Sequence, residues 1–258
     1  MRVKQSIISL FVLICFYSAN AQEKTIDEKS SFFRNTEFQI RAGFSIGGSA
    51  PIPFPDGITK IEGYNPTLAL GLEANVSKWL DNNRKWALRA ALRVEGKGMK
   101  TEAQVTDYYT EVIYGGQKIA GNFTGMVQTT VKNSYFTIPV QLVYDITEKW
   151  NLYGGLYFST LIEKNFSGYV YDGYLREGDA TGERIIFEGD TKGPYDFSDD
   201  LRVFQWGVMA GGEWSLQKHL LLFGELTWGL NDLFQSDFES VTFSMYSIYL
   251  NIGFGYRF

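Results

Sequence analysis

From Thr36 onward the chain alternates between apolar and polar positions with a period of two. Phe38, Ile40, Ala42, Phe44 and Ile46 interleave with Gln39, Arg41, Gly43 and Ser45. Seven later segments behave in the same way: 67–76, 86–95, 136–144, 151–159, 204–214, 222–231 and 246–258. Period two is the strand signature, because successive side chains of an extended chain point to opposite faces. The pattern therefore predicts eight strands, most of them near the 9–11 residues that a tilted membrane-spanning strand requires.

The spacing of the segments adds a topology. Short gaps follow the second, fourth and sixth strands, at 77–85, 145–149 and 216–219. Longer gaps follow the first, third, fifth and seventh, at 50–64, 101–126, 163–201 and 234–242. Tight turns on one side and long loops on the other, with an even strand count, are the pattern of an all-β, closed, antiparallel up-and-down transmembrane barrel. Its short turns are expected to be periplasmic and its long loops extracellular. A soluble sandwich alternates too, but turns its apolar faces toward each other. Aromatics near segment ends (Trp79, Trp86, Trp150, Trp214, Tyr246, Phe258) favour the barrel, since they fall where an interfacial girdle belongs.

Charge sharpens the expectation. Arg41, Arg89, Arg93, Lys97 and Arg257, with Glu73, Glu95, Glu213 and Glu225, all occupy the polar face. Inside an eight-stranded barrel, whose interior is just filled by side chains, these ions have to neutralise one another. A mixed-sign lumen charge network of these nine residues is expected, and with it a closed interior rather than a conducting pore.

The first residues read as a processing segment. Arg2 and Lys4 precede an apolar run from Ile7 to Tyr17, and Ser18-Ala19-Asn20-Ala21 offers a small-residue cleavage site. Residues 1–21 are expected to be a signal peptide, 22–35 a flexible periplasmic lead and 36–258 the barrel domain. Without the two basic residues of 1–21, the formal charge of −5 becomes −7, and the chain retains no cysteine. An acidic chain is unsuited to phosphate backbones, so no nucleic-acid partner is expected.

The last eight residues, Asn251-Ile252-Gly253-Phe254-Gly255-Tyr256-Arg257-Phe258, fit a terminal assembly signal carried by Asn251, Gly253, Tyr256 and Phe258. Together with Asn133–Val140, Trp150–Tyr157, Trp206–Gly212 and the stretches 50–55 and 64–67, this ending resembles the PorT-like outer-membrane β-barrel proteins common in Bacteroidetes. The resemblance implies a barrel inserted by the barrel-assembly machinery, with outer-membrane lipid around it. It also allows an accessory role in a protein-secretion or import complex.

Candidate chemistry is sparse. His219, the single histidine, falls in the turn 216–219, and no HExxH or P-loop sequence occurs. No catalytic residue, metal or cofactor is expected, and the chain is not expected to be an enzyme. The acidic, tyrosine-rich stretch 163–201 offers hard oxygens for calcium or a partner surface, but lacks EF-hand spacing. Tyr108, Tyr109, Tyr114, Tyr169, Tyr171 and Tyr174 suit a recognition surface, and Pro51, Pro53 and Pro55 a stiff extended lid. The expected function is structural or binding, executed by the loops, with a narrow porin-like channel as the alternative.

Overall fold

The computed structural model describes residues 35–178 and 181–258. The segments read as signal peptide and periplasmic lead lie outside the described residues, apart from Asn35. Twelve strands are present: β1 (Thr36–Pro51), β2 (Ile58–Pro66), β3 (Ala69–Trp79), β4 (Trp86–Tyr114), β5 (Gln117–Thr147), β6 (Trp150–Glu163), β7 (Phe166–Glu177), β8 (Arg184–Phe187), β9 (Gly193–Asp196), β10 (Phe204–Ser215), β11 (Leu220–Gly229) and β12 (Met245–Arg257).

Eight of them close a ring. The order is β1-β3-β4-β5-β6-β10-β11-β12, every pair is antiparallel, and β12 returns to β1 through a ladder running from Gln39↔Arg257 to Pro51↔Met245. These are the eight segments that the alternation marks. Within the ring, even positions of β1 point outward and odd positions inward. Phe38, Ile40 and Phe44 are exposed while Gln39, Arg41 and Ser45 are buried. An exposed belt of Leu, Ile, Val and aromatic side chains runs round the whole ring, from Leu70 and Leu92 through Val140 and Leu156 to Leu226 and Leu250. A contiguous apolar band of that extent needs a non-aqueous neighbour.

Aromatic contacts line the tight-turn end of the belt, with Trp86 against Tyr144 at 4.6 Å and Trp150 stacked on Trp214 at 5.8 Å between ring centroids. Trp79 departs from the expected girdle. It shares the odd, inward parity of Asn75 and Ser77, so it is buried at 6% exposure, with the Arg84 guanidinium 5.0 Å above its ring.

The long gaps are folded as well, and here the sequence expectation needs correction. Segment 101–126 is not a loop: β4 and β5 continue past the ring as one hairpin, 29 and 31 residues long, turning at Gly115-Gly116. β2, from the segment 50–64, pairs with β4, and β7, from 163–201, pairs with β5 and carries β8 and β9. The reason is a change of polarity along the same strands. In the ring the buried side is polar (Arg89, Arg93, Lys97); beyond it the buried side is apolar (Met99, Val105, Val112 on β4 and Phe123, Val127, Val131 on β5). A bulge between Val105 and Tyr108, with Asp107 at φ 53°, also moves the inward positions of β4 from odd to even.

The segment 234–242 tucks under this extension. Phe234 meets Phe166 at 4.9 Å and Phe238 at 4.4 Å, and Phe197 meets Tyr195 at 4.9 Å and Phe238 at 5.0 Å. Such pairs contribute about 0.5–1.5 kcal/mol each beyond area burial. The long-hairpin end of the ring is thus covered by an apolar cap.

Candidate functional site

The lumen of the ring holds the charges that the alternation assigns to the polar face. Arg41 lies within 3.3 Å of Glu73 and also contacts Glu213. Arg89 reaches Glu213 at 2.6 Å. Arg93 contacts Glu73, Glu95 (3.4 Å) and, from the opposite wall, Glu225 at 2.7 Å. Lys97 lies 3.3 Å from Glu95. Arg257, nearer the tight-turn mouth, stands 3.0 Å from Glu37 and 3.6 Å from Glu213. The sequence reading missed Glu37, which also takes Arg84 at 2.8 Å. It sits two residues before Gln39, so inward parity was the signal. With Glu37 included, five lumen carboxylates face five lumen cations, and a buried charge with several partners avoids the cost of an isolated ion.

Aromatic rings fill what the ions leave. Tyr135, Tyr157 and Tyr249 surround Lys97 Nζ at 5.3, 5.1 and 5.6 Å from their centroids, and Arg41 lies between Tyr153 at 5.0 Å and Phe223 at 5.1 Å. Such contacts add cation–π attraction at a desolvated site. The rings find room over inward glycines. A Cβ at Gly211 would stand 2.7 Å from the Tyr153 ring, and one at Gly43 would stand 3.0 Å from Phe223. The void remaining between Arg41, Glu73, Arg93, Glu95 and Asn251 measures about 20 Å³, little more than the space for one water molecule. The interior at this level is packed.

Above the ion layer lies a second, different space. A cavity of about 520 Å³ is bounded by Gly47–Pro51 of β1, by Ile58, Ile61 and Tyr64 of β2, by Met99, Ala103 and Val105 of β4, and by Val127, Phe166 and Phe197 on the far side. Its few polar atoms include Thr110 and Thr129, the latter 2.6 Å from the Tyr195 hydroxyl. Burial pushes the Tyr195 phenol well above its ordinary 10.0, against a smaller opposing effect of the Thr129 hydrogen bond. The volume lies in the range of small-molecule sites, and a mostly apolar lining with a few convergent hydroxyls is their usual composition. The alternation gives no sign of it, because much of its wall comes from 50–64, 101–126 and 163–201, which that pattern leaves as loops.

A polar mouth of about 420 Å³ opens at the tight-turn end, between Glu37, Arg84, Asp145, Glu148, Lys218 and His219. His219 Nδ1 lies 2.8 Å from the Arg257 carbonyl oxygen, and its ring stacks on Tyr256 at 5.6 Å. In the acidic stretch 163–201, Asp179 lies outside the described residues. Among those described, no group of three or more His, Cys, Asp or Glu side chains is gathered to hold a metal. Of the tyrosines, Tyr169 and Tyr171 meet at 5.5 Å beside Lys192, and Tyr174 lies 3.7 Å below the Arg184 guanidinium. At the chain's last strand, Asn251 faces the lumen and accepts from Ser45 Oγ at 2.7 Å, Gly253 pairs with Gly43, and Tyr256 and Phe258 face outward.

The family model described as the outer membrane protein beta-barrel domain matches residues 20–235. No curated protein matches the chain. Among solved structures, the attachment invasion locus protein Ail of Yersinia pestis, crystallised with the heparin analogue sucrose octasulfate, is 12% identical, covering 86% of this chain and 97% of its own, with a TM-score of 0.37. The outer membrane protein OprG from Pseudomonas aeruginosa is 12% identical over 86% and 95%, with a TM-score of 0.39. The outer membrane protease OmpT from Escherichia coli is 12% identical over 91% and 99%, with a TM-score of 0.34.

Proposed function

Because the chain belongs to the outer membrane protein beta-barrel domain family, we propose that it is a non-conducting outer-membrane scaffold whose work is binding, done at its long-hairpin end. That end faces the exterior, and the tight turns face the periplasm. The observation that carries this reading is the Arg93–Glu225 contact of 2.7 Å across the ring, set in a network of five carboxylates and five cations around a void of only about 20 Å³. A selective pore calls for an excess of one sign along a hydrated lumen, whereas matched ions and stacked tyrosines produce a plug.

The binding surface is the extension of β2, β4, β5, β7, β8 and β9 together with the apolar cavity beneath it. A sheet extension holds recognition side chains more rigidly than the loops that the sequence suggests. Chemistry on a substrate is not part of this reading, since the single imidazole stands at the opposite mouth with Nδ1 held against a backbone carbonyl. During insertion, the outward Tyr256 and Phe258 are the side chains offered to the assembly machinery.

Planar-bilayer recording of the purified protein tests the plug: a flat trace is expected, and discrete conductance steps in the unmodified protein would overturn it. A second reading, the accessory barrel that a PorT-like resemblance implies, draws on the edge of β8, which pairs only with β7 among the described residues and exposes Ile186. Such an edge can accept a partner strand. Stable co-purification of a second membrane protein in mild detergent supports this alternative, and an isolated monomer in every preparation counts against it.

A further inference from the structure

We infer that the wall between β1 and β2 is a side entrance through which one hydrocarbon chain passes from the bilayer into the 520 Å³ cavity. This rests on the binding reading above and names its ligand class.

The hydrogen-bond ladders locate the entrance. β1 pairs with β3 only as far as Ser45↔Ala69, but with β12 as far as Pro51↔Met245. Beyond Ala69 the chain's neighbouring strand is β2, and β2 pairs with β4 alone. Residues 46–51 and 58–66 therefore border a seam with no ladder across it among the described residues.

The seam begins inside the apolar belt, not above it. Ile46 pairs with Leu250 and Gly48 with Ile248, and Leu250 is exposed on the lipid side. Leu68, at the foot of the seam, is 64% exposed, and the exposed Ile52, Phe54, Ile61 and Tyr64 surround its upper part. On β2 the rim also carries the exposed Lys60–Glu62 ion pair, which lies farther from the foot of the seam than Tyr64 and Leu68.

Two features make the gap tolerable in hydrocarbon, where an unmet backbone N–H is expensive. The Ser49 N–H donates to Met99 Sδ at 3.3 Å, and Pro51 has no N–H to leave unmet. Met99 also bars the foot of the seam. Its sulfur lies 2.6 Å from where a Cβ on Gly48 would stand, so a side chain at this position would have to displace the thioether. A thioether with three rotatable bonds can swing aside as no branched side chain can.

Behind the bar the cavity is aliphatic and aromatic, and Ile248 lines it while also facing the belt. A slot edged by glycine backbone suits a linear chain. Moving such a chain from lipid to protein changes its hydrophobic free energy little, so close packing inside and a polar end group near the Tyr64 hydroxyl hold it there.

The test is photolabelling in bilayer nanodiscs. One set carries a phosphatidylcholine with a diazirine at the end of an acyl chain, and another carries diazirine-bearing palmitate. Adducts are mapped by peptide mass spectrometry. Adducts on the buried Val105 and Val127, besides those on the belt residues Leu226 and Leu250, are expected from one probe or both. The probe that labels them shows whether the chain is lipid-borne or free. Ala103→Trp should reduce the cavity adducts at least tenfold and spare the belt adducts. Gly48→Leu should slow the appearance of cavity adducts several-fold, and Ala50→Trp serves if that variant fails to fold. Adducts confined to the belt with both probes overturn the ligand assignment, and cavity labelling that neither seam variant slows overturns the side entrance. Neither result changes the bilayer recording, so failure here is separable from failure of the plug.

Discussion

Arg93 and Glu225 stand on strands four places apart in a ring of eight, and their side chains meet at 2.7 Å across its full width. The contact joins opposite walls at the level of the apolar belt, and both side chains are buried there. It makes the lumen part of the protein's core, built from charge where a soluble protein would use leucine.

Glu213 serves three cations, Arg41, Arg89 and Arg257. Glu213→Ala leaves them in a dry interior with too few carboxylates. A loss of about 3–5 kcal/mol of stability is expected, the usual cost of orphaning a buried charge. Urea unfolding in detergent micelles, followed by tryptophan fluorescence, measures it. A loss below about 1 kcal/mol, typical of an exposed pair, would show that the lumen is hydrated.

Removing both members of the cross-lumen pair should be milder than removing one. Arg93→Met combined with Glu225→Leu is expected to lose less than Glu225→Leu alone, because neither variant charge remains to be desolvated. The double-mutant cycle reads the coupling directly. Strict additivity would mean that Arg93 and Glu225 act independently in the folded barrel.

Val140 lies midway along the stretch of β5 that pairs with β6, on its outward face, and Gln141 beside it points into the lumen. Val140→Arg should cost about 2–4 kcal/mol in a bilayer, the cost of a cation at mid-depth on a barrel's lipid face. Lys132→Gln, on the exposed extension, should fall within about 0.5 kcal/mol of the parent. Equal effects at the two positions would remove the lipid assignment of the belt.

The Tyr195 phenol is raised above its ordinary 10.0 by burial in the cap. In the unfolded chain it ionises first, so its contribution to stability is whole below about pH 10 and declines as the pH rises beyond that. The unfolding midpoint should therefore fall between about pH 10 and 12, and Tyr195→Phe should flatten that decline. The same variant gives up the hydrogen bond to Thr129, at about 1 kcal/mol near neutrality. An unchanged alkaline slope in Tyr195→Phe would place the sensitive group elsewhere.

How much of this was legible beforehand depends on the range of each interaction. Alternation is a property of neighbouring residues on one strand, so the eight ring strands, the outward course of Phe38, Ile40 and Phe44 and the inward course of Arg41, Arg89 and Arg93 all follow from the chain alone. The extension is not legible in the alternation for a related reason. Val105 and Phe123 keep strand periodicity but bury the apolar side, and a pattern that equates apolar with outward reads them as loop. Trp79 faces inward, as its parity with Ser77 requires, although an aromatic at a segment end suggests a girdle.

The sequence by itself determined which face each side chain takes, because a pleated backbone imposes that face within two or three residues. Tertiary structure alone decided the height at which each charge meets its partner, since that depends on how far the strands are staggered when the ring closes. For that reason 132 positions of chain separate Arg93 from Glu225 without any local trace of their contact. The seam beside Gly48 has the same origin. Whether a strand edge finds a neighbour is settled by where β2 goes, and β2 is drawn to β4 by the apolar side chains of the cap.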